Sequence, residues 1–119
     1  MARTTATRAP ADQTLRTELE ELTASLCRAL DDPKRLFLLY LLGSSPMNVG
    51  ELCEALGVPQ ANASQHLGVL RERGVVQTQR DRNRVVYSLR HPKILDAIDL
   101  LREVMADEAA RRQGLTSRP

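Results

Sequence analysis

The stretch NVGELCEALGVPQANASQHLGVLRERG, residues 48–74, decides the fold. Asn48 stands where a cap is needed, Leu52 and Leu56 give a short inward face, and Gly57 stops the segment. Val58 and Pro59 restart the chain within two residues. In the next segment, Ala63, Leu67 and Leu70 repeat at helical spacing until Gly74. Two short helices joined by a Gly-containing turn form a helix-turn-helix.

Immediately downstream, VVQTQRDRNRVVYSL, residues 75–89, changes period. β-Branched and aromatic residues on both sides of the polar Asp81, Arg82 and Asn83 predict a β-hairpin, and a hairpin in this position is a wing. Pro92 then opens a last helix, with Ile94, Ile98, Leu101 and Met105 on one stripe widened by Leu95 and Val104.

Upstream, Asp12 precedes a long first helix carrying Leu15, Leu19, Leu22 and Leu26 and continuing to Leu30. Asp31 and Asp32 before Pro33 mark a stop and restart. A second helix is predicted from Pro33 to about Leu42, with Leu36, Leu39 and Leu42 inward. Gly43, Ser44, Ser45 and Pro46 form a loop. The expected fold class is mainly α with a small β-hairpin: a winged helix-turn-helix whose end helices form a dimer interface through Leu15, Leu19, Leu22, Ile94, Ile98, Leu101 and Met105. The expected organisation is a flexible arm at 1–11, one domain at 12–112 and a polar tail at 113–119, where the last helix fades after Arg111 and Arg112.

The 119 residues suit one domain, and 42% hydrophobic residues is ordinary for a globular chain. No run approaches the roughly 18 apolar residues of a membrane span, and residues 1–10 lack the apolar run of a secretory leader. A cytoplasmic location is expected, with Cys27 and Cys53 as free thiols.

The net charge of +2 is unevenly placed. Residues 1–58 carry six basic and eight acidic side chains, residues 59–90 six and two, and residues 91–119 five of each. The positive excess therefore falls on the second helix of the pair and the hairpin, as a polyanion-binding surface requires.

Opposite the Ala63, Leu67, Leu70 face lie Ala61, Ser64, Gln65 and Gly68, flanked by Gln60 and Asn62. Small and hydrogen-bonding residues suit a helix entering the major groove, although a solvated polar face would look the same. Arg71 and Arg73 at the helix end, and Arg80, Arg82 and Arg84 on the hairpin, favour the groove reading because they could reach flanking phosphates together.

The motifs LDDPKRL at 30–36, SQHL at 64–67, LRERGVV at 70–76 and YSL at 87–89 resemble the ArsR/SmtB family of winged-helix repressors. The resemblance implies a homodimer that binds an inverted-repeat operator in double-stranded DNA and is released by an effector. It assigns base reading to Ser64 and Gln65 and places Arg80, Arg82 and Arg84 in the wing. His66 belongs to the matched motif, and packing or phosphate bonding suits it better than metal ligation, since the other histidine, His91, lies at the start of the last helix.

The effector is less determined. ELC at 51–53 matches the start of the thiolate motif of metal sensors in this family, but Ala55 and Val58 occupy the positions of the further cysteines. The last helix has no histidine after His91, so the zinc-type site is missing too. The persulfide-sensing arrangement would need a cysteine at Tyr40 and another on the last helix. Cys53 and Cys27 remain as a candidate thiol site for arsenite, a soft metal or an oxidant. The alternative reads both as small buried hydrophobes, and it is preferred for Cys27. No cofactor is certain and the metal is unknown. A constitutive repressor and a protein-interaction module are the alternative functions; an enzyme is not expected, because no nucleophile-base pair or Gly-rich phosphate loop occurs.

Overall fold

A computed structural model describes residues 12–117. The expected arm at 1–11, including Arg3 and Arg8, lies outside the described residues. The chain runs through helix α1 (Asp12–Leu22), a π-helical turn (Thr23–Cys27), α2 (Pro33–Ser44), strand β1 (Met47–Asn48), α3 (Val49–Leu56), α4 (Gln60–Glu72), β2 (Val76–Asp81), β3 (Arg84–Leu89) and α5 (Lys93–Ser117).

Local chemistry accounts for the boundaries. Asp32, in extended backbone before Pro33, accepts a 2.7 Å bond from the Lys34 amide and so caps α2. Partial burial opposes ionisation of its carboxyl. The Lys34 and Arg35 amides and the nearby His66 and Arg35 side chains outweigh that and hold it below its usual range. Asn48 and Glu51 form a reciprocal capping box on α3: Glu51 N–H donates to Asn48 Oδ1 at 2.8 Å and Asn48 N–H to Glu51 Oε1 at 2.9 Å. Gly57 closes α3 at φ 76°, a conformation that disfavours a side chain, and its N–H donates to Cys53 O at 2.9 Å.

The core is formed by Ala29, Leu38, Leu39, Leu42, Leu52, Leu67, Leu70, Val75, Val76 and Ile98. Ala63 is also fully buried. Burying each of the large aliphatic chains contributes roughly 2 kcal/mol, enough to fix α4 against α2 and α3. Leu36, expected inward, is only half-buried at the margin of this core. At Gly43 a Cβ would run into the tip of the Leu95 side chain, so glycine leaves that side chain its place between α2 and α5.

Four features depart from the sequence expectation. The hairpin is part of a three-stranded antiparallel sheet in the order β1-β3-β2, because Met47 pairs with Tyr87 and Asn48 with Val86. The π turn interrupts the first helix, and its extra residue rotates the chain beyond it. Leu26 consequently packs on the core while Leu19 and Leu22 stay exposed. The expected polar tail is helical as far as Ser117, where the described residues end. Ile98, expected at the dimer interface, is 5% exposed and belongs to the core.

Candidate nucleic-acid interface

Helix α4 stands on its buried Ala63, Leu67 and Leu70 and turns Gln60, Ala61, Ser64, Gln65, Gly68 and Arg71 to solvent. Asn62 and His66 lie half-buried at the edges of this face. Asn62 Oδ1 is enclosed without a hydrogen-bond partner, so the side chain gains by turning outward to one.

Arg35 fixes the other side of His66. Its Nε donates to Ala29 O at 2.7 Å, one terminal nitrogen to Arg28 O at 3.1 Å, and the other faces His66 Nδ1 at 3.3 Å. One guanidinium thus joins the α1–α2 connection to the middle of α4. The sequence reading assigned Arg35 no role; the available sign was a fork-bearing cation on an otherwise apolar helix.

The wing arginines do not act as one group. In the β2–β3 register Arg80 faces Val85 and Asp81 faces Arg84, so Arg80 and Arg84 project from opposite faces of the hairpin. Arg84 lies 3.6 Å from Glu51, the acid of the capping box. Arg82 occupies the turn itself at φ 63°. Arg80 and Arg82 are exposed. Arg73, placed by the sequence with the phosphate-reaching residues, instead donates to Ala24 O at 3.0 Å and ties the end of α4 to the π turn.

A polar helix face beside a cationic hairpin matches a known group of proteins. The profile described as "Bacterial regulatory protein, arsR family" matches residues 32–78. The HTH-type transcriptional regulator YgaV of Escherichia coli is 37% identical over 95 residues, covering 74% of this chain and 96% of that protein. The chain belongs to the ArsR family.

Among solved structures, the Mycobacterium tuberculosis protein Rv0081 superposes with a TM-score of 0.71 at 38% identity, covering 79% of this chain and 95% of that one. The transcriptional repressor BigR from Xylella fastidiosa gives 0.66 at 31% identity, covering 81% and 94%. The protein is therefore an ArsR-family winged-helix transcriptional regulator and not an enzyme.

The two cysteines differ in exposure. Cys27 is exposed at the end of the π turn, which corrects the expectation of a buried residue: the rotation that carries Leu26 inward leaves its neighbour outside. Cys53 is half-buried, with its Sγ–H directed to Gly50 O at 3.4 Å. Among the described residues no group of three or more His, Cys, Asp or Glu side chains could hold a metal ion, so the donors present do not fit a chelate within one chain. Also among the described residues, no helix is long and apolar enough to cross a membrane.

Proposed function

We propose that the protein is a cytoplasmic homodimeric repressor that lays α4 in the major groove of an inverted-repeat operator and sets its wings on the flanking phosphates. The observation that carries this reading is the exposed face of Gln60, Ala61, Ser64, Gln65 and Gly68, with exposed cations at the end of the same helix, Arg71, and on the hairpin packed against it, Arg80 and Arg82. Ser64 and Gln65 read base edges, Gln60 and Asn62 flank them, and Ala61 and Gly68 permit close approach. His66 and the arginines position the helix on the backbone.

Dimerisation is the consequence of the surface that one chain leaves uncovered. Leu19, Leu22, Leu100, Leu101, Val104 and Met105 are exposed on α1 and α5, with Leu101 at 62% and Met105 at 73%. A second copy covers such a stripe and places two recognition helices for a palindromic site. The related Mycobacterium bovis Mb0332 domain, 27% identical with a TM-score of 0.68, is described as homodimeric.

Cys27, with Cys53, is the site at which a thiol-reactive compound such as arsenite or an oxidant would act, by modifying exposed sulfur or bridging two chains. The bond from Cys53 to Gly50 O favours a second reading, a repressor that senses no thiol reagent.

Fluorescence anisotropy with DNA from upstream of the protein's own gene tests the proposal. Binding should weaken steeply with salt, with a slope near −0.9 in log K per phosphate neutralised. Absence of binding at low salt overturns it. Loss of binding on arsenite or oxidant treatment, abolished by Cys27→Ser, selects the thiol-sensing form; unchanged binding selects the other.

A further inference from the structure

A cavity of about 370 Å³ lies where the π turn, the Gly74 and Val75 connection after α4, and the start of α5 meet. Leu26, Val75, Ile94 and Ala97 give it an apolar wall, while His91 and Lys93 stand at its edge. Its size falls within the roughly 300–1,000 Å³ of small-molecule sites. No carboxylate lines it. Lys93 and His91 are exposed, and among the described residues no ion pair or side-chain hydrogen bond engages the Lys93 ammonium or the His91 ring. A half-open apolar pocket lined also by the Lys93 ammonium and the His91 imidazole complements a molecule with an apolar body and a single negative head.

We propose that this cavity binds a small amphipathic anion, its head against Lys93 and His91 and its body against Leu26, Val75 and Ile94, and that occupancy changes operator affinity. The coupling rests on the DNA-binding reading above and on where Val75 sits. Val75 N–H donates to Leu70 O at 2.9 Å, and Arg90 N–H donates to Val75 O at 3.0 Å. Displacing Val75 therefore moves the end of the recognition helix and the base of the wing together. Gly74, at φ 75°, is the turn between them. The opposite wall belongs to the π turn, which follows α1, and to α5, and it is α1 and α5 that carry the exposed apolar stripe. A ligand here bears on the DNA-reading and self-associating parts of the molecule at once.

Decanoate serves as the probe and 1-decanol as its neutral counterpart. Amide NMR of the full chain should show decanoate shifting Leu26, Val75, Ile94 and Ala97 at sub-saturating concentrations. Lys93→Gln should weaken decanoate about fivefold, the scale of one partly exposed charge contact, and leave 1-decanol unchanged. Anisotropy on the same upstream DNA should then change with decanoate in the wild type and less in the variant. Shifts confined to Leu100, Leu101 and Val104, or equal binding by wild type and Lys93→Gln, overturn the site. Binding at the cavity with operator affinity unaltered overturns its role as an effector site. DNA binding without decanoate is measured in the same titration, so failure of the repressor reading is seen separately.

Discussion

The guanidinium of Arg35 faces His66 Nδ1 at 3.3 Å, and this pairing sets which imidazole nitrogen is free. With Nδ1 accepting from Arg35, the proton sits on Nε2, which can donate to a phosphate. Arg35 also holds the carbonyls of Ala29 and Arg28, so it has a structural share that His66 lacks. Arg35→Ala should cost about 1–3 kcal/mol in urea unfolding, because two carbonyls lose a charged donor. Arg35→Lys should recover little, since an ammonium cannot reproduce the fork. His66→Ala should cost under about 1 kcal/mol in stability and still weaken operator binding. Equal stability losses in the two alanine variants would contradict this division.

Gln65 and Arg80 separate specificity from affinity. Both are exposed, but Gln65 lies on the face of α4 proposed to enter the groove and Arg80 on the hairpin. Gln65→Ala should reduce the preference for operator over random DNA by about 1–3 kcal/mol. Arg80→Ala should weaken both DNAs alike and lower the salt slope by about one. Competition anisotropy at several salt concentrations distinguishes the two. Full discrimination by Gln65→Ala would mean that another face of α4 reads the bases.

The pairing of Arg84 with Glu51 at 3.6 Å restrains one wing cation. Both side chains are about half exposed, so the pair itself contributes little to stability. Glu51→Gln keeps an acceptor for the Asn48 amide and so preserves the capping box while freeing Arg84. Operator binding should tighten by up to about fivefold at low salt, with the gain fading at high salt. Unchanged affinity at low salt would show that Arg84 does not reach DNA even when released.

Arg82 holds a left-handed backbone at the tip of the wing, where an L-residue costs roughly 1 kcal/mol relative to glycine. Arg82→Gly relieves that strain, partly offset by the freer unfolded chain. Thermal unfolding should therefore show no loss of stability, while DNA binding weakens and its salt slope falls. A variant that is both less stable and equally tight on DNA would reverse the assignment.

The helix-turn-helix and the hairpin were legible because apolar period, caps and Gly stops all agreed across residues 48–89. The two-residue strand β1 was not, since Met47 and Asn48 come after a proline loop and acquire strand character only by pairing with Tyr87 and Val86. The π turn escaped for a different reason: Thr23–Cys27 carries no residue that distinguishes π from α bonding, yet it decides that Cys27 faces solvent. The exposed face of α4 was legible from its helical period, whereas the splitting of the wing arginines depends on a contact between Glu51 and Arg84 that sequence spacing does not encode.

Tyr40 joins α2 to α5 by donating its hydroxyl to Asp99 Oδ1, with Arg102 donating to the same oxygen at 3.2 Å and lying 5.4 Å over the ring. The hydrogen bond to Asp99 is the main reason its phenol titrates above the usual value, and burial acts in the same direction. A group whose pKa is raised by folding stabilises the native state below its unfolded value, near 10, and loses that contribution as pH rises through the folded value. Wild-type stability should therefore fall as pH rises above about 10 by a component that Tyr40→Phe lacks. At pH 7 the same substitution should cost on the order of 1 kcal/mol, because Asp99 loses a donor while the ring packing is kept. Urea midpoints at pH 7, 9 and 11 check both statements. Parallel alkaline losses in the two proteins would mean that Tyr40 keeps its proton throughout that range and the fall comes from other groups.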